Sequence, residues 1–222
     1  MVDVFSGANL ELLRRGIIFT LGLFATGVVG GAVLGAVIGV LRSGPTTPLN
    51  APLRALLVVY SAVFRGVPAL VLIIFFFYGS AAFGIRPSAF QAAALALTAY
   101  ASAGFGEIAY ASINAVSEQQ WLAGRSLGLS YIQILIHIIV PQAARVATPP
   151  AVGQVAHVLK GTSLASVIGV IDVTGAGNIM ANRAAEPLYV FLVVGAVYFI
   201  LGYPLMRIGR LLERRLLAGS ST

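Results

Sequence analysis

The chain has 222 residues, of which 59% are hydrophobic and only 9% charged, with a formal net charge of +7 and a mean hydropathy of +0.95. A soluble domain of this length could not hide so much apolar surface, so the composition is that of a membrane protein. Cysteine is absent, which removes disulfides, thiolate metal sites and cysteine nucleophiles together.

The N-terminal segment lacks the basic region, short apolar stretch and small-residue cleavage site of a secretory signal, and the chain is read as mature. The run Ile17–Leu41 holds 25 residues without a charge, more than the ~20 needed to cross the hydrocarbon of a bilayer. Inside it Gly27, Gly31, Gly35 and Gly39 recur every fourth residue, a ladder of small side chains that lets another helix approach closely. Packing within one subunit is the expected use of that ladder; a seam between two chains is the alternative.

A second span is expected over 55–85. Pro68 lacks the amide a helix needs and disfavours helical geometry at Val67, so a kink is predicted there. Arg65 would lie within the membrane, where a charge costs at least ~2.5 kcal/mol on the insertion scale unless it faces protein or water. It is therefore either a functional residue or one paired inside the bundle. The third span, 88–110, carries Glu107, read as an interfacial carboxylate rather than a partner for a buried cation.

The fourth span covers 146–171. His157, Lys160 and Ser163 recur there at three-residue steps, about 60° apart around a helix, a polar strip suited to a water-filled pathway. Pro149 and Pro150 are expected to break this helix near one end, and Gly161 permits close approach or bending. The fifth span covers 187–207, and residues 1–222 form a single domain.

Five spans put the two ends on opposite sides, and the basic residues choose which. With the N-terminus outside, inner segments hold Arg42, Arg54, Arg125, Arg145, Arg207, Arg210, Arg214 and Arg215, against Arg14, Arg15, Arg86 and Arg183 outside. This predicts N-out, C-in. The positive charge is then an orientation signal, scattered over short segments rather than gathered into a nucleic-acid-binding patch.

Between the third and fourth spans lies QQWLAGRSLGLSYIQILIHIIVPQ (119–142). Ser117 with Gln120, and Ser130 with Gln133, each match a capping box, so two helices are predicted to start here. Gly128 suits the left-handed conformation that ends the first, and Pro141 is expected to end the second. Ile132, Leu135, Ile136 and Ile139 make an apolar stripe, with Gln133 and His137 on another face. The product is a helix-turn-helix block over 117–141, too short in either half to cross the membrane, lying against the bilayer or a partner.

No catalytic constellation accompanies these spans. There is no H-E-x-x-H and no G-x-x-x-x-G-K-[ST] loop, so the chain is not expected to bind ATP phosphates. The serines of KGTSLAS lack a G-x-S-x-G elbow or a positioned base, which argues against a serine hydrolase. His137 reads as a packing residue and His157 as a pathway or packing residue, not as metal ligands.

The spacing of Gly128, Ile138, Val140 and Pro141 resembles the EAA---G---------I-LP signature of ABC-transporter permease subunits. FRGVPALV (64–71), LKGTSLASVIGVIDVT (159–174) and the C-terminal stretch from Ala181 are similar to the polar-amino-acid branch of that family, and the resemblance spans nearly the whole chain. It implies a type I importer-like permease with no catalytic residues, cofactor or metal of its own. The implied partners are a second permease chain, a pair of ATP-binding-cassette subunits that hold ATP and magnesium, and an extracytoplasmic binding protein delivering a polar amino acid across a bacterial inner membrane. Trp121, Leu122, Ala123, Gly124, Leu127 and Gly128 would couple to the ATPase. Arg65, Gly66, Pro68, His157, Lys160, Thr162 and Ser163 would line or border the substrate pathway. An ion channel using the same polar strip is the alternative. The chain departs from the family pattern at Leu122, where the signature has glutamate, at Gly124 and Val67, at Tyr110–Ser112, and at Gly161, where an aspartate is usual.

Overall fold

The structure is a computed structural model that describes residues 6–45, 47–184 and 187–218. All regular secondary structure among the described residues is helical: α1 (Gly7–Ser43), α2 (Ala51–Gly66), α3 (Ala69–Tyr78), α4 (Ala89–Asn114), α5 (Glu118–Ser126), α6 (Tyr131–Ile134), α7 (Val140–Gly161), α8 (Val173–Ala184) and α9 (Pro187–Ala218). Four helical runs are long and apolar enough to cross a membrane, or five if the bent pair α2–α3 is one span.

The main seam joins α1 to α4, and the glycine ladder makes it. A Cβ at Gly31 would lie 2.5 Å from that of Ala101, one at Gly35 2.5 Å from that of Phe105, and one at Gly39 2.4 Å from that of Ala109. These pairings advance together along both helices, so α1 and α4 run parallel, with backbones closer than any side chain would allow. Gly27 meets Leu97 of α4 and Val158 of α7. The ladder is consumed inside the subunit and is not a seam between chains.

The predicted kink at Pro68 is a full break. Val67 is extended (φ −85°, ψ 132°), and α2 meets the helix that follows at 106°. α3 buries Leu72 and Ile73 in the largest apolar cluster, with Leu23, Ala93, Leu97 and Ile168. By contrast Ser61 is the one fully buried residue of α2.

Two expectations about the fourth span are overturned. The sequence predicts that Pro141 ends one helix and that Pro149 and Pro150 break the next, but one helical run extends over Tyr131–Ile168. A π turn at Leu135–Ile139 precedes Pro141, which falls at the start of α7, so its missing amide coincides with a change of hydrogen-bond register. Pro149 and Pro150 sit on the exposed side of α7, where their rings need no room in the core. The second helix of the 117–141 block is thus the first part of the fourth span, not a separate short helix. Past α7, a 3-10 segment (Thr162–Ile168) ends at Gly169 (φ +90°), and α8 follows where the sequence suggested only a connection.

Gly35→Leu should force α1 and α4 apart and lower the melting temperature in detergent, with a cost of about 3 kcal/mol or more for overpacking so tight a contact. Gly195→Ala, at a position where a Cβ meets nothing within 4 Å, should leave melting unchanged.

Candidate functional site

The register of α1 on α4 decides where the buried charge goes. Gly39 lies against Ala109, so Arg42, one turn further along α1, reaches Glu107 and Tyr110. Glu107 Oε2 is 2.9 Å from Arg42 Nη1 and 3.1 Å from Arg65 Nη1. Arg42 also donates to Ser61 Oγ at 3.2 Å, and its guanidinium stands 4.5 Å from the Tyr110 ring centre. Glu107 is therefore a partner of two cations rather than the interfacial carboxylate the sequence suggested, because two arginines on neighbouring helices need one shared counter-charge. Arg42 is nearly buried (9% side-chain exposure) and Arg65 half exposed (50%).

Further polar contacts hold α2 in place. Tyr60 Oη lies 2.7 Å from Ser102 Oγ, and Arg54 donates to the carbonyls of Arg42 and Gly44 at the end of α1. Those contacts cap carbonyls that lack helical amide partners.

A second feature is a groove of about 670 Å³ between α7 and α9, lined mostly by apolar residues. His157 and Lys160 line it with Tyr203, Phe199 and Met206. The predicted pathway residues divide here: Thr162 is buried and donates to Leu159 O, while Ser163 Oγ donates to Lys160 O at 2.7 Å. Arg65, Gly66 and Pro68 are exposed at the α2–α3 break. α2 packs on α4 and α1 and α7 packs on α4 and α9, while the 3-10 segment that carries Thr162 and Ser163 packs on α3.

Sequence reasoning passed over Asp172, which is fully buried. Its Oδ2 accepts from Tyr198 Oη at 2.9 Å and Thr174 N at 3.2 Å, its Oδ1 from Gly175 N at 2.9 Å, and its carbonyl from Ala176 N at 2.8 Å. Val173 N donates to Thr20 Oγ1 at 3.1 Å. All four leading amides of α8 are thereby satisfied, and the helix is tied to α1 and α9. Burial pushes the Asp172 carboxyl up, against the hydrogen bonds that favour its charged form. Gly16 makes room, since a Cβ there would come within 2.8 Å of Asp172 O. An aspartate immediately before a helix is the available sequence signal.

The 117–141 block is built around an inward pair and an outward face. Trp121 stacks on Tyr131 with centroids 5.2 Å apart and planes 15° apart, and a Cβ at Gly124 would lie 2.7 Å from Ile134 Cγ1. α5 ends in a Schellman arrangement: Leu129 N donates to Gly124 O and Gly128 N to Arg125 O, with Gly128 at φ +75° as expected. The Ser130–Gln133 capping box forms in both directions. The Ser117 box does not: Ser117 Oγ accepts from Gln119 N, and Gln120 N is taken by Ser117 O. Leu122, Ala123, Leu127 and Gly128 are exposed, Leu127 at 77%. Of the six predicted coupling residues, Trp121 and Gly124 hold the block together and the other four present its surface. No cluster suited to a metal occurs among the described residues.

Glu107→Ala leaves the nearly buried Arg42 uncompensated and should cost about 3 kcal/mol, whereas Arg65→Ala removes a half-exposed partner and should cost below about 1 kcal/mol. Ranking the two variants by melting temperature in detergent checks this order.

The family model described as "Binding-protein-dependent transport system inner membrane component" matches residues 31–218. Among curated relatives, the probable glutamine ABC transporter permease protein GlnP of Bacillus subtilis (strain 168) is 33% identical over 217 residues, 96% of this chain and 98% of that one. The L-cystine transport system permease protein TcyB of the same organism is 32% identical over 215 residues, 96% of this chain and 90% of that one. Among solved structures, an amino acid ABC transporter crystallised with histidines matches with a TM-score of 0.85 at 30% identity, covering 97% of this chain and 99% of that one. These relatives are transport subunits and not enzymes. With the match over most of its length and its apolar helices, this chain is an integral membrane protein and belongs to the binding-protein-dependent transport system inner membrane components, the permeases of ABC transporters.

Proposed function

We propose that the chain is the membrane-spanning subunit of an ATP-driven importer that carries a polar amino acid across the bacterial cytoplasmic membrane, N-terminus outside and C-terminus inside. A second permease chain completes the pathway, an extracytoplasmic binding protein delivers the amino acid, and a pair of ATP-binding-cassette subunits supplies the energy. This chain needs no cofactor; ATP and magnesium belong to the ATPase.

One observation supports this reading above the others: the α5–α6 block is rigid, doubly capped and continuous with α7, yet it presents Leu122 and Leu127 outward. Rotation of the ATPase clefts against such a surface is transmitted along the Tyr131–Ile168 run into the spans, which is what coupling between two sites requires. The glutamine and cystine named for relatives accord with an amino acid substrate. For the pathway, His157 and Lys160 border the α7–α9 groove, and Lys160 offers a carboxylate its only nearby lysine charge. Arg65, Gly66 and Pro68 border the path at the α2–α3 break, while Thr162 and Ser163 shape the end of α7. An ion channel would have no use for an outward apolar surface at a fixed place.

Leu127→Asp should leave the melting temperature of the chain unchanged, because the side chain touches little of its own fold, and should reduce co-purification of the ATPase about tenfold or more. Undiminished co-purification would overturn the docking role.

A further inference from the structure

The groove between α7 and α9 carries Lys160 and His157, and the acidic residues among the described side chains lie elsewhere. Among the described side chains the acids are Glu11, Glu107, Glu118 and Asp172. Glu11 is bonded to Arg14 and Arg15 beside the start of α1. Glu107 is shared by Arg42 and Arg65. Asp172 is fully buried and holds the start of α8 with Tyr198. Glu118 opens α5, outside the groove.

Lys160, in contrast, is exposed at the groove and makes no ion pair among the described residues. His157 stands one turn before it on α7. The opposite wall, from α9, is Phe199, Tyr203, Met206 and Gly209, and none of these lining residues is acidic. Arg207, one turn beyond Tyr203, adds a further positive charge, with its guanidinium 5.8 Å from the Tyr203 ring centre.

We infer that this groove takes amino acids whose side chains are neutral or acidic and rejects lysine and arginine. The inference rests on the reading of the groove as part of the substrate path. Lys160 pairs with a carboxylate of the substrate, and the single ammonium group can be met by the His157 imidazole and the Tyr203 hydroxyl. A second positive charge would be brought beside Lys160 with no counter-charge from the described side chains, and like charges that close repel. The aromatic and aliphatic wall suits an uncharged side chain.

Gly153 provides a test by gain. A Cβ there meets nothing within 4 Å, and the position lies two helical turns before Lys160 on the same face, a separation of about 10 Å. Gly153→Asp therefore sets a carboxylate in the groove opposite in sign to Lys160. Thermal unfolding of the chain in lipid nanodiscs, followed through its single tryptophan, would be recorded with L-glutamine, L-glutamate, L-arginine and L-lysine at millimolar concentration. The expected result is a saturable rise in melting temperature with glutamine or glutamate that is lost in Lys160→Met, no rise with arginine or lysine, and a rise with arginine gained in Gly153→Asp. A rise with arginine in the unsubstituted chain that Lys160→Met alters would overturn the charge selectivity while leaving the path intact. If no amino acid's effect depends on Lys160, the groove is not the path and the inference falls with it.

Discussion

The approach of α1 to α4 is the constraint on which the other features depend. Four glycines spaced by four remove every side chain from one stripe of α1, and α4 answers with Ala101, the backbone at Phe105 and Gly106, and Ala109. Contact this close fixes the register of the two helices. That register sets Arg42 beside Glu107 and Tyr110, and it brings the end of α1 to where Arg54 caps it and where Gly44 faces Tyr131. Tyr131 in turn stacks on Trp121, so the seam extends to the α5–α6 block. In a bilayer, where lipid is as apolar as leucine, such packing and buried polar contacts are what hold helices together.

Charge is distributed with the same economy. Glu107 neutralises much of the charge of two arginines from different helices, and Asp172 is spent on the amides of α8 and on Tyr198. Ser61 alone among the residues of α2 is fully buried, Phe64 packs against Phe76, and the break at Pro68 separates α2 from the well-packed α3. The α5–α6 block follows a comparable division. Residues that point inward set its shape, and Leu122, Ala123, Leu127 and Gly128 stand exposed on its surface.

Much of this was legible in the sequence where one local rule decided the outcome. The glycine ladder, the break at Pro68, the left-handed Gly128 and the Ser130 capping box are all set by near neighbours or by backbone chemistry. What escaped depended on distant parts of the chain. Glu107 could not be assigned to Arg42 and Arg65 without the α1–α4 register. Pro141 signals a helix end by local rules, but the π turn before it shifts the register and lets the helix continue. Pro149 and Pro150 are tolerated because of the side of α7 they occupy. α8 is glycine-containing and modest in hydropathy, and it stands because Asp172 and Thr20 satisfy its leading amides. The Ser117 and Ser130 patterns are alike in sequence, and only the second closes its box.

The central claim is that this chain moves an amino acid only when an ATPase drives it through the α5–α6 block. Uptake of radiolabelled amino acid into vesicles reconstituted with the permease, its ATPase and its binding protein tests that most directly. The account predicts accumulation that requires ATP and all three components, with no flux through the permease alone. Downhill flux through the chain without the ATPase, indifferent to ATP, would contradict it and point to a channel.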